Sequence, residues 1–476
     1  MSYPGLLVFD ESGGPGVRSR VGGLSLLDRG VRTMVRAGVE RLLIIVPEGS
    51  STELTAWTRK LDVELEFVTW GQAPKRPLSM EVSKPTLVVL GDYVHHHSSL
   101  TGLVNQGLYG HDIVVQTSAS EPGDDTGVRT AHESSQAASL STDGTKTTLQ
   151  FATPGAGAPI SGAFLISGQA IDGLSTSGND LLGFLSAISA ELSIDLRATP
   201  DPLWRRVSDR RSARAAKSML FSQVTKATSG PVSRHLNARL SIPTSKVLVE
   251  TGLSPHLVTV LFVLTTGLTA VYLLSTPLDY ARLALAGFLW HMAAVFDRCD
   301  GEIARVKLCE SKFGAWFDTV TDNIAYFAFL IALIVGMLRL HPGDDLYLYL
   351  SLSALGSMTL SLGLMYRYAM QTGSGSLQRY FYAMKDMPDR DKTAFQRITE
   401  RFGFMLKRDF FAFAHFVLCL LDAFQVMYWL TIIGIFGHAA GVILSKRRLT
   451  APTRQVEVAV GASADALAAR RAENAR

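Results

Sequence analysis

Long apolar segments in the second half of the chain constrain its fold more than any other feature. An α-helix needs about 20 apolar residues to cross a bilayer. Six segments approach this length, at 257–275, 281–297, 314–338, 346–368, 409–422 and 424–444. The fifth is the least secure because it is the shortest. The sequence therefore predicts an all-α polytopic membrane domain of about six transmembrane helices at residues 256–445.

The basic residues between these segments are distributed unevenly. Lys and Arg are frequent at 298–313, at 369–408 and from Lys446 onward, whereas 276–280 and 340–345 carry none. Loops rich in Lys and Arg stay on the cytoplasmic side. We therefore expect a protein of the cytoplasmic membrane with both termini in the cytoplasm, including a tail at 446–476.

The first half of the chain is polar enough to be soluble and has an α/β pattern. A helical apolar spacing at 28–38 separates two apolar runs that are typical of buried parallel strands. Runs of this kind occur at 5–9, 41–47, 63–68, 86–90 and 112–116. Residues 1–203 are therefore predicted to form a Rossmann-like domain with a doubly wound sheet.

The small polar residues of 117–160 indicate hairpins and loops, and 161–167 is expected to be the last strand, which closes the sheet. The start of the chain has no pattern of a cleaved signal peptide, so this domain is placed in the cytoplasm.

Residues 204–255 are predicted to connect the two domains. The segment 204–226 combines helical spacing with many Arg and Lys residues. It is interpreted either as a solvated linker helix or as a basic helix on the anionic membrane surface. The following segment, 230–259, has the amphipathic character of a juxtamembrane entry. The three cysteines have no disulfide-like or zinc-like spacing.

Four aspartates stand beside the apolar segments, in the stretch DRCDGEIARVKLCESKFGAWFDTVTD (297–322). Ionisable residues at such positions are candidates for function. Asp297 and Asp300 share one face of a helix, and Asp318 and Asp322 share another. If the two helices face each other, all four carboxylates meet. The alternative interpretation is that they are solvated or helix-capping acids that happen to align.

Carboxylates gathered in a site of low dielectric constant repel each other unless cations neutralise them. Oxygen ligands without His or Cys suit Mg²⁺ or Mn²⁺ rather than zinc. Gly301 and Gly314 leave room for a bulky phosphorylated ligand to approach the backbone. Arg305, one turn beyond Gly301, supplies a fixed positive charge for phosphate.

The pattern D-x2-D-G-x2-A-R-x8-G-x3-D-x3-D is complete here, and it resembles the signature of the CDP-alcohol phosphotransferase family. The resemblance implies that an acceptor hydroxyl attacks the phosphorus of a CDP-alcohol and that CMP leaves. It implies two divalent ions held by Asp297, Asp300, Asp318 and Asp322, with Asp322 also serving as the general base. Gly301, Ala304, Arg305 and Gly314 would line the CDP site. It further implies a homodimer among membrane lipids, and no nucleic-acid partner is expected.

Three basic residues near the membrane entrance are candidates for the acceptor phosphate site. Lys407 and Arg408 precede the fifth apolar segment, and Arg367 ends the fourth. They either anchor helices at the membrane surface or bind the phosphate of the acceptor. His256 stands where the family commonly has asparagine after Pro255, so no role is carried over to it.

The front domain resembles sugar-phosphate nucleotidyltransferases, through its Gly-rich loop ESGGPGVRSR, the following GGLSLLDRGVRTMVRAGVERLLIIVPEG and VVLGDYV. The resemblance would place a nucleotide on the loop and a metal at Asp92. The loop is short, however, and it lacks the lysine that usually follows the glycines. A domain kept for structure or assembly is therefore favoured, and an active one stays an alternative. His95, His96 and His97 are expected in a surface turn, because adjacent side chains point in different directions.

The order of the two domains resembles that of the bifunctional inositol-1-phosphate cytidylyltransferase and di-inositol-phosphate phosphate synthase enzymes. This implies CDP-inositol as the donor and inositol phosphate as the acceptor. If the front domain is inactive, CDP-diacylglycerol and a phospholipid product remain open. A non-catalytic membrane scaffold is the alternative from another class. The complete set of four aspartates argues against it for the membrane half.

Overall fold

The computed structural model describes residues 3–9, 16–50, 52–70, 84–118, 136–143, 146–152, 158–172, 181–199, 203–225, 230–277, 279–371 and 408–449. The chain divides into two compact units. The first unit comprises Met1–Ala227, Ile242–Pro255 and Gly301–Cys309. The second unit comprises Thr228–Ser241, His256–Asp300 and Glu310–Arg476.

The described residues of the first unit form one mixed nine-stranded sheet and two separate two-stranded sheets. The strands are β1 (Tyr3–Val8), β2 (Arg20–Val21), β3 (Leu24–Ser25), β4 (Val39–Val46), β5 (Glu64–Thr69), β6 (Thr86–Leu90), β7 (Tyr93–His95), β8 (Ile113–Ser118), β9 (Ala137–Asp143), β10 (Lys146–Ala152), β11 (Ala158–Ile166), β12 (Ile194–Thr199) and β13 (Trp204–Arg206). Strands β5, β4, β1 and β6 pair in parallel in that order, and β11 is antiparallel to both β6 and β8. The predicted α/β class is confirmed.

Two features of this sheet differ from the sequence interpretation. The strand at 161–167 does not close the sheet, because β12 pairs in parallel with β8 beyond it. Strand β12 is only partly buried along its length, so its sequence carries a weak apolar signal. The expected hairpin in 117–160 is present as β9 and β10, which pair antiparallel from Asp143 and Lys146 outward.

Helices and short helical turns surround the sheet. They are α1 (Leu26–Arg36), α2 (His97–Gln106), α3 (Gly168–Asp172), α4 (Leu181–Ile188) and α5 (Arg210–Ser222), with 3₁₀ turns at Thr58–Lys60 and Ser189–Glu191. Ser25 caps α1 by accepting from the Asp28 backbone N–H at 3.0 Å. Asp209 and Ser212 form a capping box at the start of α5.

The expected linker does not begin at residue 204. Trp204–Arg206 pairs antiparallel with Tyr93–His95, and the Trp204 side chain is fully buried in the core of the first unit. Helix α5 follows and buries Ala216, Met219, Leu220 and Phe221. An exposed linker was expected because the Arg and Lys residues of this segment dominate its composition. Its few apolar residues nevertheless face one side and are buried.

The second unit and the segments that join it are helical. The elements are a π-helical turn (Ser233–Asn237), α6 (Ala238–Leu248), a 3₁₀ turn (Val249–Thr251), α7 (Pro255–Val258), a π-helical segment (Thr259–Leu264), α8 (Thr265–Ser275), α9 (Tyr280–Val306), α10 (Lys312–Leu340), α11 (Asp345–Gln371), α12 (Arg408–Leu420) and α13 (Phe424–Leu449). Buried aromatic and aliphatic side chains of α8 to α13 form one core.

Four helices of the described residues are long and apolar enough to cross a membrane, at Pro255–Ser275, Lys312–Leu340, Asp345–Arg367 and Phe424–Ile443. They coincide with four of the six predicted segments. Segment 281–297 lies in α9, which is long enough but also carries charged residues. Segment 409–422 lies in α12, whose 13 residues would cover only about 20 Å at 1.5 Å per residue. The membrane domain is confirmed, and the count of six stays a prediction.

Candidate metal and phosphate site

Helices α9 and α10 supply the four aspartates. Asp297 and Asp300 lie in the C-terminal half of α9, and Asp318 and Asp322 lie in the N-terminal half of α10. Ser311 caps α10 by accepting from the Gly314 backbone N–H at 2.9 Å. This cap fixes where α10 begins, and hence which residues of the helix share the face of Asp318 and Asp322.

Three of the four carboxylates form a cluster. Asp297, Asp300 and Asp318 each offer one oxygen, and these oxygens lie within 4.8 Å of one another. The cluster grades from buried Asp300 through half-buried Asp297 to exposed Asp318. It therefore has a closed end and an open end, as a site must have when it holds an ion and admits a ligand.

Asp300 is fixed by a hydroxyl from another helix. The Thr259 hydroxyl donates to its carboxylate, and Thr259 begins the π-helical segment Thr259–Leu264. Such interruptions of α-helices often occur at functional sites. Burial and the neighbouring Asp297 raise the pKa of Asp300 well above its ordinary value, against the opposing effect of the Thr259 hydrogen bond.

Asp322 lies outside this triad and has a different partner. The Arg408 guanidinium, at the start of α12, forms ion pairs with Asp322 and, at 2.8 Å, with Asp297. Asp322 was also predicted to be a metal ligand, but the structure does not gather it with the other three. The Arg408 guanidinium pairs with both Asp297 and Asp322, so it keeps Asp322 next to the cluster.

The donor set fits a divalent cation. All candidate ligands are carboxylate oxygens, which hard cations such as Mg²⁺ prefer. Three acidic oxygens at this separation repel one another strongly when one of them is buried, and a bound cation removes that cost. The identity and number of the ions stay predictions.

The residues expected to line the CDP site are divided between the two units. Gly301, Ala304 and Arg305 occupy the last two turns of α9 and belong to the first unit, and Gly314 belongs to the second. Their predicted role remains untested. His256 packs its ring against Gly314, since a Cβ built on that glycine would lie 3.2 Å from the His256 Cε1 atom.

His256 also meets Phe313 and Phe317 edge-on, at 5.6 and 5.5 Å between ring centroids. No role was predicted for His256, because it departs from the family's usual asparagine. Thr259 was missed as well. The signal that could have found it is a hydroxyl residue four positions after Pro255 in an otherwise apolar span.

The three predicted acceptor-phosphate residues have different outcomes. Arg408 lies among the aspartates, as described above. Arg367 is exposed near the end of α11, and Lys407 lies outside the described residues.

In the front domain, the predicted metal ligand is Asp92, and an arginine is its partner. Asp92 forms an ion pair with Arg206, whose Nε donates to the carboxylate at 2.7 Å. Burial raises the pKa of Asp92, while the charge of Arg206 opposes this shift. Part of the Gly-rich loop, residues 10–15, lies outside the described residues.

The three histidines beside Asp92 do not form the expected surface turn. His95 lies in β7 and is only 3% exposed, and burial lowers its pKa to about 3. His96 caps α2, accepting from the Ser98 backbone N–H at 3.4 Å, and His97 is the first residue of that helix. Strand pairing with Trp204–Arg206 buries His95, a contact across more than a hundred residues that local sequence does not reveal.

Comparison with known proteins finds a family match within the membrane half. Residues 253–388 match the family described as CDP-alcohol phosphatidyltransferase. A relative from Rubrobacter xylanophilus, named bifunctional IPC transferase and DIPP synthase, is 27% identical over 351 residues, covering 71% of this chain and 75% of the relative. A protein of the same name from Thermococcus kodakarensis is 31% identical over 199 residues, covering 40% and 42% of the two chains.

Solved structures are similar to the front half. The inositol-1-phosphate CTP transferase from T. maritima covers 46% of this chain with 95% of its own, at a TM-score of 0.32 and 14% identity. A UDP-glucose pyrophosphorylase from Acinetobacter baumannii covers 50% of this chain with all of its own (100%), at a TM-score of 0.35 and 10% identity.

Proposed function

We propose that this chain, which carries a CDP-alcohol phosphatidyltransferase domain at residues 253–388, transfers a phospho-alcohol group from a CDP-alcohol to an acceptor hydroxyl and releases CMP. The observation that carries the proposal is the cluster of Asp297, Asp300 and Asp318 within 4.8 Å, inside the family match. The family match indicates phosphotransfer from a CDP-alcohol, and the three carboxylates are an arrangement of metal ligands that can support this reaction.

Asp297, Asp300 and Asp318 would hold one or two divalent cations, Mg²⁺ or Mn²⁺. A cation bound there would neutralise charge that develops on phosphoryl oxygens in an in-line displacement. The exposed side of the cluster, at Asp318, is the side from which a pyrophosphate can approach. Thr259 would keep the Asp300 carboxylate in one orientation through its hydrogen bond.

Asp322 is proposed as the general base. It lies one turn along α10 from Asp318, so an acceptor hydroxyl beside it would also be beside the metal-bound phosphate. The base takes the hydroxyl proton as the oxygen bonds to phosphorus and the bond to CMP breaks. Arg408 holds the Asp322 and Asp297 carboxylates together and carries a positive charge toward the acceptor phosphate.

The donor we propose is CDP-inositol, with inositol phosphate as the acceptor. The support is the name of the relatives, which joins an IPC transferase to a DIPP synthase, and the extent of the Rubrobacter match over both halves of this chain. The membrane motif is shared with enzymes that use CDP-diacylglycerol, so that lipid donor is the competing substrate.

The front domain is proposed to lack cytidylyltransferase activity. Its candidate metal ligand, Asp92, is paired with Arg206 at 2.7 Å, and the Gly-rich loop contains no lysine between Glu11 and Arg20. A guanidinium at this distance supplies the positive charge that a metal would otherwise provide.

The cellular setting is proposed from the distribution of charge. The four apolar helices and the family make this a membrane protein. The basic loops support a cytoplasmic membrane location with the active site and both termini in the cytoplasm. The resemblance to the family supports a homodimer.

A CMP-release assay tests the proposed function. The full chain, purified in detergent with Mg²⁺, is given CDP-inositol with inositol phosphate in one arm and CDP-diacylglycerol with inositol phosphate in another. We expect release in the first arm and its loss with EDTA. Release only with CDP-diacylglycerol would assign the lipid donor. No release with any donor would leave the non-catalytic scaffold.

A further inference from the structure

Helix α9, which carries Asp297 and Asp300, ends in the first unit with a closed hydrogen-bond motif. The Cys309 N–H donates to the Ala304 carbonyl at 2.9 Å, and the Leu308 N–H donates to the Arg305 carbonyl at 3.1 Å. Leu308 has a φ of 51°, the left-handed conformation that usually falls to glycine at such ends. This Schellman motif uses the carbonyls of Ala304 and Arg305 and leaves those of Val306 and Lys307 for other donors.

Two arginines of α1 donate to those two carbonyls. The Arg29 Nη1 atom donates to the Val306 carbonyl at 3.0 Å, and the Arg32 Nη1 atom donates to the Lys307 carbonyl at 2.6 Å. Both arginines are buried, at 2% and 5% exposure. The carbonyl end of a helix is its negative pole, where cations are favoured. Two residues of the front domain therefore cap the helix that holds the metal ligands.

Further hydrogen bonds hold the two guanidinium groups in place. Arg29 also donates to the Val21 carbonyl through Nε at 3.2 Å and Nη2 at 2.7 Å. Arg32 donates to the Thr58 and Thr55 hydroxyls, both at 2.8 Å. These additional hydrogen bonds hold each guanidinium group in one orientation, in which its Nη1 atom donates to the end of α9.

A buried carboxylate organises the second arginine's partners. Asp28 accepts from the Thr58 hydroxyl at 2.6 Å and from the Thr55 hydroxyl at 2.9 Å. These bonds orient the two threonine hydroxyls that Arg32 contacts. The network runs from α1 through the turn at Thr58–Lys60 to the end of α9.

Burying these two charges costs free energy of folding. A domain retained only for its own stability would not require such buried charges. Burial lowers the pKa of Arg29 to about 9, and buried ion networks are often no better for stability than apolar residues of the same volume. Gly23, with a φ of 76°, approaches the same region so closely that a Cβ there would lie 2.1 Å from the Val249 carbonyl oxygen. Gly23 therefore allows close packing against Val249, which belongs to the same unit.

We infer that Arg29 and Arg32 are positioning residues for phosphotransfer: they fix the end of α9, and with it the height and rotation of Asp297 and Asp300 on the same helix. This rests on the proposed function. At 1.5 Å per residue, Asp300 lies about 9 Å along the helix from Val306, within one stiff segment. The front domain, without a reaction of its own, thereby contributes to the metal site of the membrane half.

The Mg²⁺ dependence of CMP release by the full chain tests this, with Arg29→Met, Arg29→Lys and Arg36→Met. Arg36 is an exposed arginine on the same helix and serves as the matched control. In Arg29→Met we expect the half-saturating Mg²⁺ concentration to rise about tenfold, since a buried hydrogen bond to a charged group contributes on this scale. The rate at saturating Mg²⁺ should be largely retained, Arg29→Lys should recover part of the loss, and Arg36→Met should match the wild type.

A merely structural role predicts another pattern. If Arg29→Met only lowered the fraction of folded protein, the maximal rate would fall and the half-saturating Mg²⁺ concentration would not change, which would overturn the inference. If Arg29→Met unfolds the front domain, as seen by loss of hydrogen-exchange protection in Val39–Val46, Arg29→Lys carries the test with the same criteria.

Hydrogen exchange of the metal-free protein gives a readout that does not depend on activity. The amides of 301–309 should exchange about tenfold faster in Arg29→Met than in Arg36→Met, because local opening becomes easier when its cap is lost. Protection in Val39–Val46 should not change. Equal exchange at 301–309 in the two variants would overturn the inference, even if the wild type released no CMP with any donor and the proposed function itself failed.

Discussion

Two carboxylate sites of this chain differ in how their charge is balanced. In the front domain, Asp92 faces the single guanidinium of Arg206 at 2.7 Å. In the membrane half, Arg408 pairs with both Asp297 and Asp322. In the first site one guanidinium pairs with one carboxylate. In the second site one guanidinium pairs with two carboxylates, and one of these, Asp297, also lies within 4.8 Å of Asp300 and Asp318.

We expect this difference to separate a structural site from a chemical one. An ion pair that is complete within the protein has no further need of a cation, and it ties strand β13 to the end of β6. A cluster with excess negative charge is stable only with a bound cation or raised pKa values. Substitutions in the two sites should therefore have effects of very different size.

The largest effect is expected for Asp297→Asn. Removing a carboxylate from the triad weakens metal binding, and metal-dependent binding of the CDP-alcohol is lost with it. A metal that neutralises developing charge contributes several kcal/mol, so CMP release should fall by about 10³-fold or more. Asp345→Asn, at an exposed aspartate that begins α11, is the matched control and should retain activity. Normal CMP release by Asp297→Asn would remove the basis for the metal site.

Asp322→Asn should separate binding from chemistry. The asparagine cannot take a proton, so transfer should fall by about 10²-fold or more, the contribution of a positioned general base. Binding of the CDP-alcohol, measured by equilibrium dialysis with Mg²⁺, should largely survive because the triad is intact. Turnover at the wild-type rate would contradict the assignment of Asp322 as the base. Loss of binding together with turnover would make it a metal ligand instead.

The sequence could predict the parts of these sites that depend on helical spacing. Asp297 and Asp300 lie three residues apart and Asp318 and Asp322 four apart, so each pair shares a helix face whatever the rest of the fold does. The strands β1, β4, β5, β6 and β8 were predicted from their apolar runs, which are also a local feature of the sequence.

The parts that depend on long-range pairing were not found. Trp204–Arg206 was assigned to a linker, because its pairing with Tyr93–His95 is set by contacts across the chain. Strand β12 was missed because it is only partly buried. The buried arginines of α1 looked like the polar face of an ordinary amphipathic helix. Their partners, the carbonyls of Val306 and Lys307, lie 277 and 275 residues further along.

The front-domain site should show its structural character in the pH dependence of its stability. Burial lowers the pKa of His95 to about 3, whereas an unfolded histidine titrates near 6.5. Below about pH 6.5 the unfolded chain therefore binds a proton that the folded domain does not, and stability falls as the pH falls, by up to about 2 kcal/mol at pH 5.

His95→Phe removes this titration and keeps a ring of similar bulk. We expect the loss of stability between pH 7 and pH 5 to become smaller by up to about 2 kcal/mol. The measurement is the urea midpoint of the front domain by pulse proteolysis, with the exposed His235 changed to Asn as the control. Equal pH dependence in His95→Phe and the wild type would show that His95 is not buried as a neutral ring.

The smallest effect is expected for Asp92→Asn. Because Arg206 already balances this carboxylate, its loss should leave CMP release unchanged within about twofold, which is below the effect of any catalytic group. Breaking the partly buried ion pair should lower the stability of the front domain by about 1 kcal/mol. Consumption of CTP with inositol 1-phosphate should be absent in the wild type and in the variant alike. If the wild type consumed CTP and Asp92→Asn did not, Asp92 would be a catalytic ligand, and the contrast between a balanced and an unbalanced carboxylate site would no longer separate structure from chemistry.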